Sequence, residues 1–234
     1  MTPAAPAGAR GDSGADAAPF WERPDVVTRF AAREPDLRLA ALAATFGTPT
    51  RVQVLDLGCA AGRNTLFLAA RGFSVLALDA SEPMVRATRE RLAAARLDRP
   101  GVDVRVGRME RLEGVDPGRV DLVVALGVYH QAQGRAEWDA ALAATGRVMA
   151  RGGLLLVASH APGTRYEGAE ARPVPGEPHV YEGFPTGRSF LVVARELDRE
   201  LARHGLLPFV PTETRVVDEG ESRRVTVNAL YTRH

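Results

Sequence analysis

The alternation of apolar and polar positions along the chain predicts strands and helices in regular succession. Short apolar runs typical of buried strands stand at residues 54–56, 73–78, 102–106, 120–126 and 154–158. Stretches with helical composition or periodicity lie between them, at residues 65–70, 81–92 and 137–149. Repeated alternation of strand and helix predicts a doubly wound α/β fold with a mostly parallel sheet.

The C-terminal part of the chain has a different pattern. We predict a helix over residues 189–204, followed by two strands that include residues 209–210 and 224–231. A turn at Gly220 joins these strands, so we expect an antiparallel pair at the end of the chain.

The length of 234 residues suits one domain, which we assign to residues 20–234. Residues 1–19 are rich in Ala, Pro, Gly and Asp without periodicity, which predicts a disordered tail. Two helical runs follow the tail, at 25–32 and 35–47, and precede the first strand.

A loop of very small residues follows the first strand and opens into a helix. Gly58 and Gly62 lack a Cβ, so the backbone here can approach a ligand closely. Dinucleotide-binding loops need a third glycine where this chain has Arg63, which disfavours NAD and FAD. Asp79 ends the second strand 23 residues after Asp56, where a carboxylate can accept hydrogen bonds from two ribose hydroxyls.

Composition excludes several classes of function. A net charge of +1 gives no strong field for nucleic acid or an anionic membrane. No lysine is present, which excludes a P-loop lysine, a pyridoxal Schiff base and a lysine nucleophile. The single cysteine, Cys59, cannot form an internal disulfide, and no residues have metal-ligand spacing. Without a membrane-spanning run or a signal peptide, we expect a cytoplasmic protein.

The segment from Asp56 to Gly62 resembles the D-x-G-x-G-x-G loop of class I S-adenosylmethionine-dependent methyltransferases, with Ala60 in place of the middle glycine. The resemblance implies a Rossmann-like methyltransferase fold with a seven-stranded sheet. It also implies methyl transfer from S-adenosyl-L-methionine to a small-molecule acceptor by in-line displacement. Residues 62–69 and 72–73 look like the tellurite-resistance and thiopurine-type branch.

The resemblance implies a set of residues that contact the cofactor. They are Asp56, Gly58, Cys59, Ala60, Gly62, Asn64, Asp79, Ala80, Met84, Arg108, Met109, Leu126 and Gly127. Arg108 stands where many members carry an Asp that binds the adenine amino group. The helices within 20–47 would close over the pocket, where Trp21 serves either as part of the lid or as core.

Candidate catalytic residues follow the fourth and fifth strands, where ligands bind in open α/β sheets. Tyr129 and His130 come directly after the central strand, and His160 follows the fifth. Either histidine could be a general base, although a lone histidine after a core strand is as often structural. Residues 159–188 are dense in Pro, Gly and aromatics, and we expect them to recognise the acceptor.

Two other functions are compatible with the sequence. A non-catalytic protein could bind the same cofactor as a regulator or a partner, which the Ala60 and Arg108 departures leave open. An NAD-dependent oxidoreductase would share the sheet, although Arg63 argues against it. The sequence carries no signal for the oligomeric state or the methylated atom.

Overall fold

The computed structural model describes residues 19–166 and 171–234. Apart from Pro19, the predicted tail lies outside the described residues. The helices in the described part are α1 Pro24–Ala31, α2 Leu37–Ala43, α3 Arg63–Ala70, α4 Glu82–Ala94, α5 Arg135–Val148 and α6 Ala194–Ala202. Three short 3₁₀ helices lie at Phe20–Glu22, Pro49–Arg51 and Tyr129–Gln131.

The strands run from the first to the last third of the chain. They are β1 Gln53–Leu57, β2 Ser74–Asp79, β3 Val102–Val106, β4 Val120–Leu126, β5 Met149–His160, β6 Arg172–Pro173, β7 Val180–Phe184, β8 Gly187–Phe190, β9 Leu206–Pro208, β10 Glu213–Glu219 and β11 Ser222–Arg233.

The main sheet has the order β10-β11-β5-β4-β1-β2-β3, with β9 paired to β11. The first five strands pair in parallel, whereas β11 is antiparallel to β5, β9 and β10. This architecture confirms the doubly wound α/β prediction with a C-terminal antiparallel pair. The described residues form eight strands in this sheet because short β9 joins the expected seven.

Two apolar layers cover the sheet. The larger one packs α5 and α6 against one face through residues such as Trp138, Leu142 and Tyr231. The second packs α2 and α3 against the other face, through Leu39 and Leu68. Side chains therefore alternate between the two layers along β5 and β11.

Three predicted boundaries were wrong. Strand β5 begins at Met149 instead of residue 154 and includes Gly153, where a Cβ would lie 2.9 Å from the carbonyl oxygen of Ala150. The residues at 189–190 belong to β8, which pairs with β7, so α6 begins only at Ala194. The first strand of the C-terminal pair is β10, which is exposed along its whole length and lacks the apolar alternation that marks a strand.

The predicted acceptor-recognition segment, 159–188, contains secondary structure of its own. Strands β6, β7 and β8 form a small antiparallel sheet beside the main one. Residues 167–170 within this segment lie outside the described residues.

Candidate functional site

The loop between β1 and α3 needs its two glycines. Gly58 has φ +70° and Gly62 has φ +81°, both in the left-handed region. A Cβ on Gly62 would lie 2.6 Å from the Thr88 Cγ2 atom, and one on Gly58 would lie 2.8 Å from the Val128 Cβ atom. Neither glycine position has room for a side chain.

Ala60 adopts a conformation that glycine would take more easily, with φ +49°. Its backbone N–H donates to Asp79 Oδ2 at 2.8 Å. Its carbonyl oxygen accepts from the Thr88 hydroxyl at 2.7 Å. These bonds from β2 and α4 hold the loop in the required shape despite the methyl group.

Asp79 ends β2 beside this loop. Its second carboxylate oxygen accepts from the backbone N–H of Ser81 at 2.9 Å. Burial raises the pKa of Asp79 above its ordinary value, although the hydrogen bonds from Ser81 and Ala60 act in the opposite direction. Ala80, next along the chain, is exposed. The carboxylate thus lies at the rim of the cleft formed by β1 and β2.

The loop is supported on its buried side by three residues, Asp56, Cys59 and Asn64. The Thr65 hydroxyl donates to Asp56 Oδ2 at 2.6 Å, and burial raises the pKa of Asp56 to about 6. Cys59 is buried among apolar side chains, and desolvation raises the pKa of its thiol, which excludes it as a nucleophile. Asn64 Oδ1 accepts from the backbone N–H of Asp36 at 3.1 Å.

The residues after β3 include a second candidate for the adenine contact. Arg108 is exposed, and its guanidinium donates to Glu110 at 2.6 Å and to Glu137 at 3.3 Å. The other Glu110 oxygen is buried and has no partner among the described residues. Glu110 therefore offers an acceptor oxygen, whereas the guanidinium of Arg108 can only donate. Met109, which lies between them in the sequence, is buried. Glu110 is shifted by two residues from the position of the family's Asp, so the sequence alone left open whether Arg108 or Glu110 contacts the adenine.

The N-terminal segment lies over the glycine loop. The Trp21 ring contacts Phe20 and Phe30 edge-on, with centroids 4.9 and 5.2 Å away. The Ser81 hydroxyl donates to the backbone oxygen of Trp21 at 3.0 Å. Met84 is fully buried in the same apolar cluster, which also contains Val26, Ala60 and Ala61. The predicted lid thus packs directly on the loop.

The loop after β4 places Leu126 and Gly127 at the same edge of the sheet. Gly127 has φ +94° and donates its N–H to the Ala158 carbonyl at 2.8 Å. Tyr129 points the other way and is fully buried, with its hydroxyl 2.7 Å from the Thr145 hydroxyl of α5. Burial raises its pKa. Tyr129 therefore packs in the core beside α5, and its catalytic role stays a prediction.

His130 is also unsuited to accept a proton. The backbone N–H of His160 donates to His130 Nδ1 at 3.2 Å, so Nε2 carries the ring proton. Nε2 lies 2.8 Å from the side-chain amide of Gln131, whose oxygen must then face the ring. Burial and the neighbouring His160 lower the pKa of His130 well below its ordinary value. Both ring nitrogens have partners, so His130 supports His160, and its role as a base stays a prediction.

His160 ends β5 and is the candidate base whose ring is partly exposed. It stacks on His130 with centroids 4.1 Å apart, and its Nδ1 is hydrogen-bonded to the Tyr166 hydroxyl at 3.1 Å. Burial, followed by the charge of Arg224, lowers the pKa of His160 to about 4. The ring is therefore neutral at physiological pH.

The described part of the chain contains no group of three or more His, Cys, Asp and Glu residues positioned for a metal ion. Nor does any helix within residues 19–166 and 171–234 have the length and apolar content needed to cross a bilayer.

Comparison with known proteins identifies the domain. Residues 54–153 match a family model described as a methyltransferase domain. No curated protein sequence matches the chain.

Solved structures share the fold. The PH0226 protein from Pyrococcus horikoshii OT3 superposes with a TM-score of 0.65 at 18% identity, over 92% of this chain and 94% of that one. TehB from Haemophilus influenzae gives 0.65 at 15% identity, over 92% and 67%. The Burkholderia thailandensis 1,6-didemethyltoxoflavin-N1-methyltransferase, solved with 1,6-didemethyltoxoflavin and S-adenosylhomocysteine, gives 0.62 at 20% identity, over 90% and 79%. At these identities the likeness establishes a shared fold.

Proposed function

We propose that this chain, a class I S-adenosylmethionine-dependent methyltransferase by its domain and its fold, methylates a small-molecule acceptor. One observation carries the proposal: the left-handed glycine loop meets the Asp79 carboxylate at the carboxyl ends of β1 and β2. A nucleoside bound at Asp79 would extend along the loop toward Gly127 and His160. The small heterocycle bound by the Burkholderia thailandensis neighbour favours a small acceptor here.

The donor groups of the site fit S-adenosylmethionine. Asp79 offers its carboxylate to the two ribose hydroxyls. The buried, unpartnered oxygen of Glu110 can accept from the adenine amino group, which gives that atom the partner it lacks. Arg63, the first residue of α3, can donate to the carboxylate of the cofactor. The loop backbone around Ala60 lies between these groups.

When bound, S-adenosylmethionine supplies a methyl group on a sulfonium, and its transfer leaves a neutral thioether. The chain itself mainly orients the acceptor, and positioning of this kind can lower a barrier by about 7–11 kcal/mol. His160 is neutral and can take the acceptor's proton, but a base with a pKa of about 4 is weak at neutral pH. We therefore expect acceptors that react as anions or need little help from a base.

Two rival functions predict different behaviour. A non-catalytic regulator would bind S-adenosylmethionine without forming S-adenosylhomocysteine with any acceptor. An NAD-dependent oxidoreductase would bind NADH, for which Arg63 occupies the third glycine position of the loop.

Thermal unfolding with S-adenosylmethionine, S-adenosylhomocysteine or NADH tests the cofactor assignment. At about 100 times its Kd, a ligand should stabilise the folded protein by roughly 2.7 kcal/mol, which raises Tm by about 5–10 °C for a chain of this size. We expect a shift with both adenosyl compounds and none with NADH. D79N should lose most of the shift relative to its own ligand-free Tm, since it lacks the second acceptor oxygen for ribose.

D103A is the matched control, because Asp103 lies on the neighbouring strand β3 in an exposed pair with Arg105. It should retain the full shift. A shift with NADH alone would contradict the cofactor assignment. Release of S-adenosylhomocysteine, measured across thiol, phenol, amine and carboxylate acceptors, then separates an enzyme from a regulator.

A further inference from the structure

Three arginines from distant parts of the chain lie close enough for their charges to interact, and we refer to Arg33, Arg63 and Arg224 as the arginine cluster. Arg33 follows α1, Arg63 begins α3 and Arg224 lies on β11. The Arg33 guanidinium stacks over the Phe30 ring, 4.0 Å from its centroid. Burial lowers the pKa of Arg33, and so do the positive charges of Arg63, Arg29 and Arg224.

The cluster has little negative charge to balance it. Within residues 19–166 and 171–234, no carboxylate forms an ion pair with Arg33 or Arg63, and Arg63 donates to the backbone oxygen of Glu34 at 3.1 Å. Arg224 reaches Glu219 at 3.4 Å, in a pair that is about half exposed on the arginine side. Exposed pairs of this kind contribute little to stability, so an incoming anion could replace Glu219 at small cost.

Uncharged polar side chains lie next to the arginine cluster. His160 is opposite Thr226 in the β5–β11 ladder, and Arg224 lies two residues before Thr226 on the same face of the sheet. The Tyr166 hydroxyl is hydrogen-bonded to His160, and the charges of Arg224 and Arg33 both act on Tyr166. Arg224 and His160 thus face the same side of the sheet, and Tyr166, which is hydrogen-bonded to His160, lies within electrostatic range of both arginines.

The cluster lies at the end of the cleft away from the ribose. In the sheet order, β5 and β11 stand on one side of β4 and β1, whereas β2 with Asp79 stands on the other. A group bound between Arg33, Arg224 and His160 would thus approach the cofactor from the acceptor side.

Building on the proposed function, we propose that the acceptor carries a carboxylate or phosphate that Arg33 and Arg224 bind beside His160. Guanidinium groups bind such anions through paired, charge-assisted hydrogen bonds. Unbalanced like charges oppose each other in the folded chain, and an anion on the substrate would remove that repulsion.

The same chemistry could instead serve the carboxylate of the cofactor, which we assign to Arg63. Binding experiments separate the two sources. The dissociation constant of S-adenosylhomocysteine is measured by calorimetry for the wild type and for R33Q, R224Q and R63Q. Benzoate and inorganic phosphate are then titrated into each protein saturated with S-adenosylhomocysteine, against sodium chloride at equal ionic strength.

We expect benzoate or phosphate to raise the Tm of the wild-type complex saturably, by about 3–6 °C at roughly ten times its Kd. R33Q and R224Q should weaken that anion about 10-fold or more, while changing the affinity for S-adenosylhomocysteine less than twofold. R63Q should weaken S-adenosylhomocysteine. R223Q is the matched control on the same strand and opposite face, and it should change neither affinity.

Two outcomes would overturn the inference. In one, the wild-type complex responds to both anions only as it responds to chloride. In the other, R33Q and R224Q weaken S-adenosylhomocysteine as much as R63Q does, which assigns the cluster to the cofactor. Both outcomes leave the methyltransferase proposal standing, since that proposal is tested separately by cofactor binding to the wild type and by its release of S-adenosylhomocysteine. Ligand-free R33Q and R224Q should unfold no lower than the wild type, which excludes misfolding as the cause of a lost response.

Discussion

At the scale of single residues, the site is defined by backbone conformation more than by reactive side chains. Gly58, Ala60 and Gly62 all have positive φ, and Asp79 receives the N–H that this conformation presents. The residues that look reactive in sequence, Tyr129 and His130, have their polar atoms occupied by neighbours. Methyl transfer needs a well-shaped cleft, so a rigid loop matters more here than a strong base.

Gly62 gives the sharpest test of this rigidity. G62A should lower the free energy of unfolding by about 2–4 kcal/mol, because a Cβ would lie 2.6 Å from Thr88 Cγ2 at a φ of +81°. Urea unfolding measures the loss, and calorimetry should show weaker binding of S-adenosylhomocysteine. The control is G47A, where no atom lies within 4 Å of the new Cβ. A G62A protein as stable as G47A would contradict the steric argument.

At the scale of elements, α2 is tied to two other parts of the fold. Asp36 caps α2 by accepting the Arg38 N–H at 2.9 Å, and its own N–H donates to Asn64 of α3. Arg38 pairs with Asp36 at 2.7 Å and donates to Asn228 of β11. The helix after the lid is thus held against the glycine-loop helix and the antiparallel edge of the sheet together.

We therefore expect D36A to affect both stability and the cofactor site. Loss of the cap alone should cost about 1–2 kcal/mol, and release of Asn64 should weaken binding of S-adenosylhomocysteine. Urea unfolding and calorimetry check the two effects. D25A is the control, since Asp25 forms an exposed pair with Arg23 near the start of α1 and should change neither stability nor cofactor affinity measurably. Unchanged cofactor affinity in D36A would show that α2 does not support the loop.

At the scale of the whole molecule, the sheet order brings the working groups to one edge. Strands β5, β4, β1 and β2 end in turn at His160, Leu126, Leu57 and Asp79. The edge therefore runs from Asp79, where we propose that the nucleoside binds, to His160, where we propose that the acceptor binds. The net charge of +1 gives no indication of the arginine cluster near His160.

The buried histidines make global stability depend on pH. In the folded protein His160 has a pKa of about 4 and His130 a pKa well below its ordinary value of 6.5. Between about pH 6.5 and pH 4 the unfolded chain binds more protons, so the free energy of unfolding falls as pH falls. His160 accounts for a loss on the order of 2–3 kcal/mol. Asp56 opposes this partly, because its folded pKa of about 6 favours the folded state as pH falls.

H160Q tests this linkage. The variant should lose less stability than the wild type between pH 7 and pH 4.5, because one of the two histidines that charge on unfolding is gone. Urea unfolding at a series of pH values measures the difference. Parallel pH profiles for the two proteins would show that His160 does not titrate differently in the folded and unfolded states.

Much of the fold follows from local pattern. The apolar runs predict β1 to β5, and the small residues between Asp56 and Asn64 predict the loop and its ligand class, because period and glycine content are properties of neighbouring residues. Exposed β10 and the glycines inside β5 were misassigned, since their roles depend on the strands beside them. Strand Glu213–Glu219 has no buried face to produce a pattern.

The sequence by itself therefore determined the α/β fold and the glycine loop, and it marked Asp79 as a candidate group for a ribose. Only the tertiary structure decided which polar atoms remain free. It occupies both nitrogens of His130, leaves an oxygen of Glu110 without a partner among the described residues, and brings the charges of Arg33 and Arg224 within range of each other although they are 224 − 33 = 191 positions apart. The physical reason is that hydrogen-bond partners and charge clusters come from contacts distant in sequence, which no local periodicity records.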